Sequence, residues 1–203
     1  MSRKINIAVL VSGGGTNLQA LIDAQKSGIL TSGEIKLVIS SSSDAYALER
    51  AAGAGIKSEV FLRKKYSDRE AFETDIINSL EENGIDIIVL AGFMCILSEK
   101  FTSKYPKRII NIHPSLIPSF CGDGFYGLHV HEAALEYGVK VTGATVHFVN
   151  EVTDGGEIIM QKAVDVKEGD TPQTLQKRVM TEAEWQILPL AVEKVCHDKA
   201  KES

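Results

Sequence analysis

The sequence predicts an α/β fold: one domain built on an open, mostly parallel sheet, with helices on both faces and an antiparallel strand near the C-terminal part. Three observations carry that expectation. Short runs rich in Ile, Val and Leu, without polar alternation, recur along the chain and read as strands buried on both faces. Segments with apolar residues at helical spacing lie between them. The connections are short and carry Gly, Asn, Asp or Ser, as in strand–helix–strand units.

The elements follow in order. Ile5 to Val11 is the first strand, ending at Ser12-Gly13-Gly14-Gly15, and Leu18, Leu21 and Ile22 then repeat at helical spacing. Ile35 to Ile39 is a second strand, and Asp44 is placed to cap a helix running through Ala54. Ser58 to Leu62 is a short strand. Ser67 and Glu70 have the spacing of a capping box, ahead of a helix that carries Phe72, Ile76 and Leu80 and stops near Asn83-Gly84. Asp86 to Ala91 and Arg108 to Ile112 are the next strands. Pro114, Pro118, Gly122, Gly124 and Gly127 then punctuate a long loop, before a helix from Val130 to Tyr137. Thr142 to Val149 and Glu157 to Val166 are strands separated by Asp154-Gly155-Gly156. Thr171-Pro172 opens a long helical segment, which Pro189 is expected to kink or divide. The polar tail Lys199 to Ser203 is expected to fray. The order is Rossmann-like. No internal repeat, low-complexity tract or linker interrupts it, so residues 1–203 are expected to form one domain.

Composition narrows the function classes. The 203 residues are 44% hydrophobic and 24% charged, which excludes a disordered or coiled-coil chain. Lys plus Arg is 22 and Asp plus Glu is 27, a net charge of -5, unsuited to general nucleic-acid binding. The longest basic run, Arg63-Lys64-Lys65, reads as a solvated turn. Cys95, Cys121 and Cys196 are odd in number and form no C-x-x-C pair, which fits a reducing compartment. The apolar run Ile7 to Val11 is short for a signal peptide. The longest uncharged apolar stretch, the eleven residues from Ile87 to Leu97, falls short of the roughly 20 that a membrane span needs. A soluble cytoplasmic protein, monomer or homodimer, without membrane or nucleic-acid partners, is expected.

Two features carry chemistry. Ser12-Gly13-Gly14-Gly15-Thr16-Asn17 joins a strand to a helix, where backbone N–H groups and the positive helix end make an anion site. The dinucleotide fingerprint fails, because its third glycine would fall on Leu18, and no Gly-Lys-Ser/Thr follows for an ATPase loop. A small phosphate ligand and a plain tight turn capped by Thr16 or Asn17 both fit. The second feature is Asn111, His113 and Asp154. Asn111 and His113 sit two apart at a strand end, so both project to one side. An amide donor beside an imidazole suits a developing oxyanion, and a carboxylate can orient that imidazole and relay protons. A buried structural histidine and a plain Asp-Gly turn fit the same residues. Metal binding by His129, His131, His147, Cys121 and Asp154 lacks a recognised ligand spacing, and no metal is expected. No G-x-S-x-G elbow supports hydrolysis by a serine, and Ser115 between prolines reads as a loop-structuring hydroxyl.

Asn111-Ile112-His113-Pro114-Ser115-Leu116-Ile117-Pro118 resembles the N-x-H-P-S-L-L-P signature of the folate-dependent formyltransferase family. Val11 to Ala20, Ala91-Gly92-Phe93-Met94 and Asp154-Gly155-Gly156 match in the same order. The glycine loop and the chain length resemble the branch that formylates glycinamide ribonucleotide, whereas members that formylate methionyl-tRNA carry an added basic domain. The resemblance implies direct formyl transfer from 10-formyltetrahydrofolate to glycinamide ribonucleotide. It implies Asn111, His113 and Asp154 as the catalytic set. Gly13, Gly14, Gly15, Thr16 and Asn17 are implied as the substrate phosphate loop, with residues to about 100 forming a phosphate-binding half and about 101–203 a catalytic and folate-binding half. Glu184 and Pro118 are implied in substrate binding. Arg69, Phe93, Met94, Cys95, Ile96, Leu97, Val149, Asn150 and Thr153 are implied in folate binding.

Two departures stand out. Cys95 occupies a position where an arginine is frequent, which bears on the contact to the folate tail. Cys121-Gly122-Asp123-Gly124-Phe125-Tyr126 is longer than the usual connection, and its glycines read as a mobile loop or a surface bulge. A formyltetrahydrofolate hydrolase and a non-catalytic phosphate-ligand domain are the rival readings.

Overall fold

The computed structural model describes residues 3–202. Among these residues one sheet contains β1 (Ile5–Val11), β2 (Gly33–Ser40), β3 (Lys57–Val60), β4 (Ile87–Leu90), β5 (Ile109–His113), β6 (Val141–Phe148) and β7 (Ile158–Asp165). Their spatial order is β3-β2-β1-β4-β5-β6-β7. Pairing from β3 across to β5 is parallel, and β6 runs antiparallel to both β5 and β7. The helices are α1 (Thr16–Ser27), α2 (Tyr46–Gly53), α3 (Arg69–Glu82), α4 (Glu99–Lys104), α5 (Leu128–Tyr137), α6 (Pro172–Val179) and α7 (Trp185–Glu202).

Two cores explain the continuous apolar runs. Ile7, Val9 and Val11 of β1 pack with Leu18 and Leu21 of α1, Ala47 of α2 and Leu188 of α7. The alternate residues Ala8 and Leu10 pack with Phe72, Ile76 and Leu80 of α3 and Phe101 of α4. With both faces covered, β1 carries no polar face. The strand order reverses direction at β1, the position where open α/β sheets leave a crevice beyond the carboxyl ends of the strands.

Several local expectations are corrected. α2 is preceded by Ala45, so Asp44 falls one residue too early to cap it. α3 is capped by Asp68, whose carboxylate accepts the Ala71 N–H at 2.8 Å, while the Ser67 hydroxyl only donates to Asp68. A charged acceptor one position nearer the helix displaces the expected capping box; such a cap contributes about 1 kcal/mol. Helix α4 has no counterpart in the sequence reading, being too short to show periodicity. Ser98 caps it by accepting from Phe101 N–H, and buried Glu73 of α3 accepts both the N–H and the hydroxyl of Ser98. The C-terminal helical segment is divided, but at a π-helical turn over Met180–Glu184, with Pro189 inside α7. Proline lacks the N–H for one helical bond, yet α7 continues through Pro189. Lys199 to Glu202 remain helical rather than frayed, and Ser203 lies outside the described residues.

Candidate active site

Sheet register assembles the polar cluster. Asn111 and His113 alternate with Ile110 and Ile112 on β5, so both leave the same face. Antiparallel pairing sets His147 opposite Asn111 and Thr145 opposite His113. Asp154 arrives from the β6–β7 connection in a left-handed conformation, φ 54°. Gly156 fixes that approach, since a Cβ there would lie 1.8 Å from the Phe148 carbonyl oxygen.

The four side chains form one network. Asn111 Nδ2 donates to His147 Nε2 at 3.2 Å. Asp154 Oδ1 lies 3.6 Å from His147 Nε2, and its Oδ2 lies 3.5 Å from His113 Nδ1. The remaining ring nitrogens donate to carbonyls: His113 Nε2 to Phe120 at 2.8 Å, and His147 Nδ1 to Phe148 at 2.8 Å. With those protons fixed, neutral rings turn bare nitrogens toward the carboxylate. The cluster is therefore one proton short of its best electrostatic arrangement, and it is built to accept one. Burial pushes the His113 imidazole below its ordinary pKa, against the pull of Asp154 and the Phe120 carbonyl. Burial opposes charge on Asp154, but the Gly122 N–H that it accepts, with His147 and His113 close by, holds its carboxyl below the usual aspartate range. Ser115 serves the loop, its hydroxyl donating to the Ser119 carbonyl at 2.5 Å.

The glycine loop lies across the crevice, because Leu10 pairs with Leu90 and Leu90 with Asn111. Gly15 precedes α1 in a left-handed conformation, φ 69°, and makes no side-chain cap bond, so neither Thr16 nor Asn17 is the cap. A Cβ on Gly15 would lie 2.6 Å from that of Ala47, whereas Gly13 and Gly14 face open space. The first N–H groups of α1, with no acidic residue in that turn, remain directed at the crevice. Asn17 Nδ2 donates to Glu184 Oε2 at 2.7 Å, and the π turn is what presents Glu184 there. Burial raises the Glu184 pKa against that hydrogen bond. Arg50, which the sequence reading missed, binds the Gly14 carbonyl at 2.8 Å and Gln19 at 3.0 Å; no local pattern marks it.

Beyond β4, Phe93, Cys95 and Leu97 pack on the second core beside Val149, while Met94 and Ile96 are exposed by 58% and 62%. Such exposed apolar side chains beside a polar crevice suit a flat, apolar ligand face. Met94 N–H donates to Ser12 Oγ at 2.9 Å, joining this wall to the glycine loop. Burial raises the Cys95 thiol pKa, while Arg63 and Arg69 both act to lower it, so two cations stand near that position. Arg63 belongs to the basic run whose sequence reads as a solvated turn. Asn150 and Thr153 precede Asp154 on the same connection, with Asn150 Oδ1 accepting from Val152 N–H at 3.0 Å and Thr153 Oγ1 donating to Asp123 at 3.3 Å. Pro118 is exposed at the loop mouth, its carbonyl accepting from Cys121 Sγ at 3.3 Å. The sequence offers His147 only as a metal-ligand type, and the strand register is what brings it to Asn111. Among the described residues, no cluster of three or more metal-ligating side chains is found, and no helix is long and apolar enough to cross a membrane.

Comparison with known proteins identifies the family and the fold. Residues 5–192 match the formyl transferase family. The phosphoribosylglycinamide formyltransferase of Escherichia coli K12 is 43% identical over 93% of this chain and 85% of its own length. The human trifunctional purine biosynthetic protein adenosine-3 is 49% identical over 95% of this chain, which spans 18% of that longer protein. The crystal structure of glycinamide ribonucleotide transformylase 1 from Symbiobacterium toebii superposes with a TM-score of 0.90 at 42% identity, covering 96% of this chain and 89% of that one.

Proposed function

The chain belongs to the formyl transferase family, and from that premise we propose that it transfers the formyl group of 10-formyltetrahydrofolate to the amino group of glycinamide ribonucleotide in purine biosynthesis. The observation that carries the reading is the Asn111–His147–Asp154–His113 network facing an uncapped glycine loop across one crevice. The loop and the α1 end hold the substrate phosphate, and Glu184 beside Asn17 contacts the ribonucleotide. The apolar wall from Phe93 to Leu97, with Val149 to Thr153 opposite and Arg63 and Arg69 near the tail, holds the folate. Residues to about 100 thus supply most of the phosphate site, and the rest supply the catalytic groups.

The residues divide the work. As the amine attacks the formyl carbon, Asn111 donates its second Nδ2–H to the oxygen where charge develops, and positive charge on His113 adds to that stabilisation. Asp154, facing two bare ring nitrogens, draws the amine proton into the network and returns it to the departing folate nitrogen. Holding both substrates in one crevice supplies much of the rate through proximity. No covalent enzyme intermediate is required. The test follows deformylated folate by absorbance with both substrates present. Turnover that requires the ribonucleotide supports the reading; turnover without it would make the protein a hydrolase, and none at all would leave only a binding domain.

A further inference from the structure

Phe120 and the loop that follows it make two backbone hydrogen bonds to the catalytic pair. Phe120, in a left-handed conformation with φ 49°, turns its carbonyl onto His113 Nε2 at 2.8 Å. Two residues on, Gly122 N–H donates to Asp154 Oδ2 at 2.9 Å, the same oxygen that faces His113 Nδ1. The loop is held in place independently. Gly122 closes a turn with Phe125, whose ring meets Phe120 edge-on at 6.3 Å, and Phe120 in turn meets Tyr137 of α5 at 6.0 Å. Asp123 accepts from Thr153 on the facing loop.

We propose that residues 120–126 act as a backbone clamp for the reaction: the Phe120 carbonyl fixes the tautomer and plane of His113, and the Gly122 N–H fixes Asp154 Oδ2 against it. Both are positioning groups, acting through side chains that meet substrate. The proposal rests on the formyltransferase reading of those side chains. The bond from Gly122 favours the charged carboxylate, so its loss moves Asp154 toward protonation at higher pH. The other titratable groups that bear on the pair are His147 from β6, His131 from α5 and Cys121 from the loop itself.

Gly122 and Gly124 give a matched pair for the test. Their φ values are 88° and 89°, and a Cβ on either meets nothing within 4 Å. Alanine therefore imposes the same backbone strain at both, but only position 122 donates to Asp154. Gly122→Ala is expected to lower kcat by about tenfold or more, shift the acid limb of the kcat profile upward, and leave both KM values within about twofold. Gly124→Ala is expected to keep the wild-type acid limb. A backbone ester at the Cys121–Gly122 linkage, which deletes the N–H alone, is expected to reproduce the upward shift. Equal effects of the two alanines, or an ester enzyme with an unmoved acid limb, would overturn the clamp. Absence of formyl transfer by the wild-type enzyme would instead refute the underlying function, so the two failures are distinguishable.

Discussion

Asp154 is the residue on which the proposed chemistry turns, and its backbone decides how to test it. At φ 54° it occupies a region that Asn enters more readily than most side chains, so Asp154→Asn keeps the turn while removing the charge. The variant is expected to lose about 10²- to 10⁴-fold in kcat while both KM values stay within about threefold. Steady-state kinetics with each substrate varied would expose a wrong assignment as near-normal kcat. His131 offers a different test. It is fully buried on α5, neither ring nitrogen has a partner among the described residues, and burial, with the neighbouring His113, lowers its pKa to about 4. The folded protein therefore holds it neutral, and the unfolded chain takes up its proton first as pH falls below 6.5. Stability from this group is intact above that value and falls by about 3 kcal/mol by pH 4. His131→Leu is expected to unfold in urea at a similar midpoint at neutral pH but to lose less stability at pH about 4.5. Parallel losses in wild type and variant would count against it.

At the level of elements, the central strands were the most legible part, because burial on both faces forces apolar runs that no loop requires. β1 begins and ends where the sequence places it, and the other strands differ by a few residues. The misses have local causes. α4 depends on Glu73 reaching from α3 to Ser98, a contact 25 residues apart that periodicity cannot register. The π turn depends on how the segment before Pro189 packs, and it matters because it delivers Glu184 to Asn17. The Asn17 Oδ1 atom is buried without a partner among the described residues, and Glu184 accepts from Nδ2. In Glu184→Gln, the amide oxygen can still accept from Asn17 and the new NH2 can donate to that orphan oxygen. The variant is therefore expected to match or slightly exceed wild-type thermal stability while raising KM for glycinamide ribonucleotide by about tenfold, the loss of one charged hydrogen bond to the substrate. An unchanged KM would remove Glu184 from substrate binding.

At the scale of the whole molecule, motif residues were legible because chemistry restricts them to few types at fixed spacing. His147, Arg50 and Arg63 were not recognised as site neighbours, because register and helix packing bring them in without local pattern. The net charge of -5 acquires meaning only with the site in place. A phosphate-bearing substrate meets a molecule whose overall field does not attract it. On the proposed reading its affinity comes from short-range groups: the exposed Gly13 and Gly14 backbone, the α1 end, and Arg50 behind the loop. Contacts at hydrogen-bond distance are little screened, whereas long-range steering is lost once the Debye length drops from about 30 Å near 0.01 M salt to about 8 Å near 0.15 M. An enzyme that gathered its substrate by a positive field would lose about tenfold or more in kcat/KM over that range. Here kcat/KM for glycinamide ribonucleotide is expected to change by less than about threefold, with any change upward as repulsion from the acidic surface is screened. Stopped-flow or initial-rate measurements across the salt series decide the matter. A steep fall would show that Arg50, Arg63, Arg69 and their neighbours act together as a steering patch, despite the sign of the whole chain.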